Sequence, residues 1–181
     1  MTYYAFIKDD KINGCGQCPQ TTDGVISFEI AEEVYNDIDR YIWDGSDVVL
    51  NPNYDEEQLA LAKQAKYTEA NQKAFEYLES GEAVFTYEEG KSIEATDGNI
   101  AKLGLALVNF ILQQDYTSTI EWNTKENENV QLNAEQLQVI VAGLQQIQAV
   151  VWTVKFVAYN TAISEAETIE EVNAIEINYG D

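Results

Sequence analysis

Cys15 and Cys18 stand in Gly14-Cys-Gly-Gln-Cys-Pro19 and are the two cysteines of the chain. A Cys-x-x-Cys pair is half of a zinc site. The other half is missing, because there is no further cysteine and no histidine. Zinc would need a carboxylate pair or a second subunit to complete its shell. Thioredoxin-like redox chemistry needs the pair after a strand and opening a helix. Gly16 and Pro19 point to a turn instead. The plain reading is two reduced, structurally incidental thiols; an intersubunit metal or a disulfide is the sharper one.

Asp44-Gly-Ser-Asp47 and Asp97-Gly-Asn99 offer oxygen ligands of the kind calcium takes. Neither has the spacing of a dedicated calcium loop, and hairpin and capping chemistry account for both. Glu32-Glu33, Glu88-Glu89 and Glu170-Glu171 supply the residue type of two-carboxylate glycoside hydrolysis. As neighbouring acids they read as solvated surface charge. The absence of histidine removes the usual general base and the Ser-His-Asp arrangement. The sequence therefore assigns no catalytic, cofactor-binding or metal-binding residue, and the expectation is a protein that is not an enzyme.

Charge narrows the partners. Ten basic residues oppose 32 acidic ones, for a net charge of −22 in 181 residues. Binding to nucleic acid needs clustered Lys or Arg on the phosphates, and docking on an anionic membrane needs the same. Both are disfavoured. Such a surface repels itself and attracts cations or basic partners. An apolar fraction of 45%, with eleven tyrosines, six phenylalanines and three tryptophans, excludes a disordered chain. The opening Met-Thr-Tyr-Tyr-Ala-Phe-Ile-Lys-Asp-Asp lacks the basic start and long apolar run of a signal peptide. No window reads as apolar enough to cross a bilayer, so synthesis in a cytoplasm is expected.

The pattern predicts an α+β fold in three parts: a small strand-rich module over 1–52, a connecting helix over 53–81, and a mainly helical module with two β-hairpins over 82–181. In the first, Tyr3 to Ile7 and Lys11 to Cys15 read as strands around Asp9-Asp10. Ile26, Phe28 and Ile30 alternate at period 2. Ala31 to Ile38 reads as a short helix. Tyr41 to Leu50 is a hairpin turning at Asp44-Gly45. Asn51-Pro52-Asn53 breaks the pattern. Asp55 to about Ser80 then reads as one long helix, with acids in its first turn and Gly81 as its stop.

In the third part, Ala83 to Ala95 is a hairpin turning at Glu89-Gly90. Thr96-Asp97 caps a helix bearing Ile100, Leu103, Leu107, Phe110 and Ile111. A hairpin containing Trp122 follows. Asn133 with Gln136 forms a capping box for a helix reaching about Asn160, and Thr168 with Glu171 forms another. Trp122 reads as the keystone of a small core, with an exposed binding anchor as the alternative. The helix from Asn133 carries apolar residues around much of its circumference near its end, which predicts self-association or burial in a larger assembly.

Four local features, Phe85-Thr-Tyr-Glu-Glu-Gly-Lys, Glu121-Trp122-Asn-Thr, Val130-Gln-Leu-Asn-Ala-Glu-Gln-Leu137 and Ala166-Glu-Thr-Ile-Glu-Glu-Val-Asn-Ala-Ile175, carry a resemblance. Over roughly Lys66 to Asn178 the chain resembles a family of uncharacterised phage and prophage proteins. That family occurs at the C-terminal ends of tail-fibre and tail-associated proteins. It usually has a basic-tipped helix before the fourth feature; here Lys155 is the one basic residue in that region. The resemblance implies a bacteriophage structural or tail-associated protein acting by protein–protein binding. Its place would be the virion, after synthesis in the host cytoplasm, and its partners other phage structural proteins in an oligomer or larger assembly. The resemblance assigns no functional residue and no cofactor. The alternative, from charge alone, is an acidic decoy that mimics DNA and inhibits a nucleic-acid-binding protein.

Overall fold

Tyr3-Tyr-Ala-Phe-Ile7 is aromatic and apolar on both sides of the pleat, and it becomes the middle strand of a three-stranded sheet. The computed structural model, which describes residues 1–180, has an α+β architecture. Strand β1 (Tyr3–Lys8) lies between β2 (Lys11–Gly16) and β3 (Ile26–Ile30), antiparallel to each. Tyr3, Ala5, Phe6 and Ile7 are buried. Asp9 and Asp10 have φ of 51° and 58°, the double left-handed turn that a two-residue hairpin needs. Phe6 covers β2 so closely that a Cβ at Gly16 would come within 2.9 Å of its ring.

Helix α1 (Glu32–Asn36) begins at Ala31 without a side-chain cap and stops where Asp37 leaves helical geometry. It is shorter than the spacing of Val34, Tyr35 and Ile38 predicts, and a 3-10 turn over Ile38–Arg40 follows. The predicted Asp-Gly hairpin forms from β4 (Tyr41–Trp43) and β5 (Val48–Leu50). Ring contacts join these pieces, Tyr3 with Tyr35 at 4.5 Å and Phe28 with Trp43 at 5.1 Å between centroids.

Helix α2 (Tyr54–Glu79) is followed by the hairpin β6 (Val84–Glu88) and β7 (Lys91–Glu94), then α3 (Asp97–Gln113) and the hairpin β8 (Ile120–Asn123) and β9 (Asn129–Leu132). Then come α4 (Ala134–Ala149), α5 (Phe156–Glu165) and α6 (Ile169–Ala174). The chain divides into two compact units, Met1–Gln58 and Leu59–Asp181. Their boundary falls inside α2, whereas the sequence places breaks at either end of that helix. The reason is packing: Ala70, Ala74 and Leu78 of α2 belong to the core of the second unit.

The core of the second unit is built around α4. Leu137, Ile140, Val141 and Leu144 are buried on it, together with Leu103 of α3, Ile93 of β7 and Leu132 of β9. Asn133 accepts from the Gln136 backbone N–H while the Gln136 side chain accepts from the Asn133 N–H, the predicted capping box. Thr168 and Glu171 repeat it on α6. Between α4 and α5 the helix widens into a π turn over Val150–Lys155. Four β-branched residues crowd there, and Thr153 donates back to the Ala149 carbonyl at 2.6 Å.

The three pieces make one helix of 32 residues, Ala134–Glu165, with an 18-residue window of mean hydropathy 1.4. By length and composition it is able to cross a membrane, which corrects the expectation that no segment reaches that threshold. The sequence had hidden this by interspersing Gln among the apolar residues. Core helices pass the same test, and Leu137, Ile140, Leu144, Val151 and Ile163 lie in the core cluster of this unit.

Gly143 marks the tightest contact of that core. A Cβ there would run into the Phe85 ring. Gly104 on α3 faces open space. Helix propensity alone favours Ala at both sites by about 1 kcal/mol. Gly143→Ala is expected to lose about 1–3 kcal/mol through overpacking, whereas Gly104→Ala gains about 0.5–1 kcal/mol. Urea unfolding of the two variants checks the difference in sign.

Candidate interaction surface

The residue groups that suggested chemistry are occupied by local structure. The Cys15 thiol lies 3.9 Å from the Tyr35 carbonyl and is pushed up by burial, then by the Asp39 charge. Thiolate chemistry needs the opposite shift. Cys18 is exposed, and both thiols are free. The Asp44 carboxylate accepts from the backbone N–H groups of Ser46 and Asp47, at 2.8 Å each, which holds it below the usual carboxylate range. It is the latch of its hairpin turn. Asp97 accepts from the Gln148 amide at 2.6 Å, and Asn99 donates to the Glu94 carbonyl at 3.1 Å.

The acidic pairs have separate duties. Glu32 accepts from the Tyr3 hydroxyl, Glu88 pairs with Lys91 at 2.8 Å, and Glu171 closes its capping box. Their neighbours Glu33, Glu89 and Glu170 are exposed. Among the described residues no three His, Cys, Asp or Glu side chains gather as a metal shell.

Trp122 falls between its two readings. It pairs with Val130 across the hairpin and packs on the core while remaining half-buried. It also lines a cleft of about 210 Å³ with Glu94, Asn99, Thr124 and Lys125. The turn beyond it locks the two hairpins together. Glu126 accepts from the Ser92 N–H at 2.9 Å, and the Lys125 N–H donates to the Ser92 carbonyl at 3.0 Å. The Lys125 ammonium reaches the Gly81 carbonyl at 2.7 Å.

A second device has no counterpart in the sequence reading. Residues after α6 run extended along α2 and the π turn, held by lysines on alternate carbonyls. Lys66 donates to Ile175 at 3.3 Å, Lys73 to Ile177 at 3.3 Å and Lys155 to Tyr179 at 2.8 Å. The alternation follows from the two-residue period of extended chain. It also buries Ile177 and Tyr179. The Tyr179 hydroxyl donates to the Ala70 carbonyl at 3.1 Å, and burial, then Tyr159, pushes it up to about 12. Beside it lies a cleft of about 290 Å³ lined by Tyr77, Ile147, Val150 and Lys155.

The surface feature that stands out is on α3. Ile100, Leu103, Leu107 and Phe110 turn inward as predicted, whereas Ile111, expected on the same face, is exposed. The opposite side carries Ala101, Leu105, Val108 and Leu112, all exposed, with Leu105 at 63% and Leu112 at 76%. Ile111 and Tyr116 extend the patch at 50% and 60%. Residues 98–114 contain no acid, so the patch is apolar and carries none of the chain's negative charge. The expected apolar excess near the end of the Asn133 helix is smaller. Phe75 covers Trp152 at 5.0 Å, and the rest of this unit covers Val151 and Phe156, leaving Val154 and Val157 outward.

Residues 61–177 match the family described as a domain of unknown function (DUF4376). The chain belongs to that family. No curated protein and no solved structure gives a match. The DUF4376 region lies wholly within the second unit and takes in the α3 patch, the Trp122 cleft and the lysine-held segment up to Ile177. Sequence reading missed the patch because one apolar stripe had already satisfied the helical period. The signal was present as a second stripe at 101, 105, 108 and 112.

Trp122→Ala is expected to destabilise the DUF4376 unit by about 2–3 kcal/mol, below the figure for a fully buried aromatic, as a thermal melt would show. Tyr179 ionises near 10 when unfolded and at about 12 when folded. Its contribution to stability is therefore full below pH 10 and lost as pH rises toward 12. Tyr179→Phe is expected to cost about 0.5–1.5 kcal/mol at neutral pH through the lost bond to Ala70. The variant should also show a shallower fall in melting temperature than the parent above pH 10.

Proposed function

We propose that this protein is a structural or tail-associated component of a bacteriophage particle that works by binding other proteins. The observation that carries the binding role is the apolar, acid-free face of α3 on a molecule of net charge −22. Contiguous exposed apolar surface of this kind marks interaction sites on otherwise polar proteins. The raised Cys15 thiol and the acids committed to turns and caps give the surface no group poised for catalysis. The phage setting is supported by the four local features that resemble tail-associated proteins. In this reading the partners are other phage structural proteins, and the place of action is the virion or its assembly intermediate.

Net charge favours the second reading, an acidic decoy for a nucleic-acid-binding protein. In that case binding would run through the acidic faces and weaken steeply with salt. Contact through the α3 patch would be comparatively salt-tolerant. Particles assembled with a tagged copy of the chain, purified and then washed at 0.1 M and about 1 M salt, separate the two. Retention of the chain at fixed stoichiometry through both washes is the expected result. Absence from particles, together with salt-labile capture of a basic DNA-binding protein, would overturn the proposal.

A further inference from the structure

Residues 175–180 are held the way a bound peptide is held. Among the described residues, no backbone–backbone hydrogen bond ties 176–180 to a helix or strand. Side chains of the unit fix the segment instead. Lys66, Lys73 and Lys155 reach the carbonyls of Ile175, Ile177 and Tyr179. The Tyr159 hydroxyl donates to the Asn178 carbonyl at 2.6 Å and accepts from the Asn178 N–H at 2.9 Å. Contacts of this kind read main chain, which every sequence supplies. Selection enters at alternate side chains, as in grooves that take extended peptides. Ile177 and Tyr179 are buried, whereas Glu176 and Asn178 are exposed.

The seat of Tyr179 selects an aromatic residue with a hydroxyl. Its ring lies 6.4 Å from that of Tyr77 and 5.4 Å from that of Tyr159 between centroids, and its hydroxyl meets the Ala70 carbonyl. Yet the segment does not fill the groove. A cleft of about 240 Å³, edged by Glu76, Ser80 and Glu82, and the cleft of about 290 Å³ at Ile147 and Val150 are both lined by Tyr77 and Tyr179. A settled core leaves few such gaps. Tyr179 therefore stands between two open spaces, and its withdrawal would join them. The segment also covers three of the ten basic residues in a chain of net charge −22. Glu69 offsets two of them, at 2.9 Å from Lys66 and from Lys73.

We propose that the groove between α2 and the π turn is a peptide-binding site occupied in cis by residues 175–180. Once that strap is displaced, the groove takes an extended segment of a partner protein with the same pattern, an aliphatic residue followed two positions later by tyrosine. The strap competes as an intramolecular ligand, at an effective concentration of about millimolar. The parent is thus closed to weak segments and yields to tight or multivalent ones. The inference goes beyond the contact role of α3 and needs neither that face nor the phage setting.

The probe is the peptide Ala-Ile-Glu-Ile-Asn-Tyr-Gly, the sequence of residues 174–180, with a fluorophore at its amino end. Anisotropy reads its binding to the full chain, and circular dichroism melts follow folding. Tyr179→Ala vacates the aromatic seat. It should bind the probe at least a hundredfold more tightly than the parent, because the strap no longer competes. Asn178→Pro removes the N–H bonded to Tyr159 and leaves Ile177 and Tyr179 in place; a gain of roughly tenfold is expected. A probe with Phe for Tyr should bind the Tyr179→Ala chain roughly two- to tenfold less tightly, through the lost bond to Ala70. Adding Lys155→Gln to Tyr179→Ala should weaken probe binding by about tenfold. If Tyr179→Ala unfolds by itself, saturating probe should restore the fold, since a ligand of the native state raises its stability. A probe that neither binds nor refolds these variants overturns the inference. So does equal binding to parent and variants, or a probe with Ala for Tyr that binds as well as the original. Retention on particles without probe binding would count against this inference alone; probe binding by a chain absent from particles would count against the virion reading alone.

Discussion

Ten basic residues must serve a chain carrying 32 acids, and their placement decides which segments stay docked. Five lysines of the second unit donate to backbone carbonyls: Lys63 to Ser164, Lys66 to Ile175, Lys73 to Ile177, Lys125 to Gly81 and Lys155 to Tyr179. A surface pair with a carboxylate contributes little in water. An ammonium on a carbonyl of a part-buried extended segment satisfies an acceptor that no strand or helix would reach. It also lets the long apolar stem of the lysine cover the segment beneath. Three of these bonds hold the stretch after α6, and through it Ile177 and Tyr179 complete the core beside α2. Glu69 shares Lys66 and Lys73, and Glu88 pairs with Lys91; Asp44 and Glu171 serve a turn and a cap.

That arrangement explains which features the sequence made legible. Local chemistry reads well. The Asp-Gly hairpin, Thr and Asn caps with Gln or Glu three residues on, and the period-2 run at Ile26, Phe28 and Ile30 each depend on neighbours a few residues away. The structure places all of them as expected. Long-range choices read poorly. Ala70, Ala74 and Leu78 have the small apolar face of a connector, and distant residues, among them Ile93, Leu137, Ile177 and Tyr179, turn that face into core. The π turn over Val150–Lys155 depends on a local crowding of β-branched residues that any continuous helical pattern conceals. No catalytic or metal site was legible in the sequence; of the groups weighed there, Asp44 latches a turn, Glu171 closes a cap and Cys15 is a half-buried S–H beside the Tyr35 carbonyl, while Cys18 is exposed.

Trp122 and α3 show the same limit from opposite sides. A tryptophan in a hairpin invites a choice between core and anchor, yet the residue is half-buried, packed against the core and also lining a polar cleft. Helix α3 invites a single amphipathic reading because Ile100, Leu103, Leu107 and Phe110 already satisfy it. Its outer stripe then looks like surplus hydrophobicity. Only burial, which depends on the whole unit, shows that Leu105 and Leu112 have no cover in the chain itself.

Strong acidity and an open apolar face are complementary features rather than contradictory ones. A large net charge keeps copies apart in solution and resists indiscriminate aggregation. Screening at physiological salt confines that repulsion to roughly 8 Å, so it acts mainly when two surfaces are about to touch. Faces rich in acid are rejected at that distance. The stretch over 98–114 has no acid to reject with, and apolar contact can form there. In the proposed binding role, charge would filter orientation and the apolar stripe would supply the attraction. The pairing of the two explains how a helix can leave Leu105, Val108, Ile111 and Leu112 in water without making the whole surface adhesive.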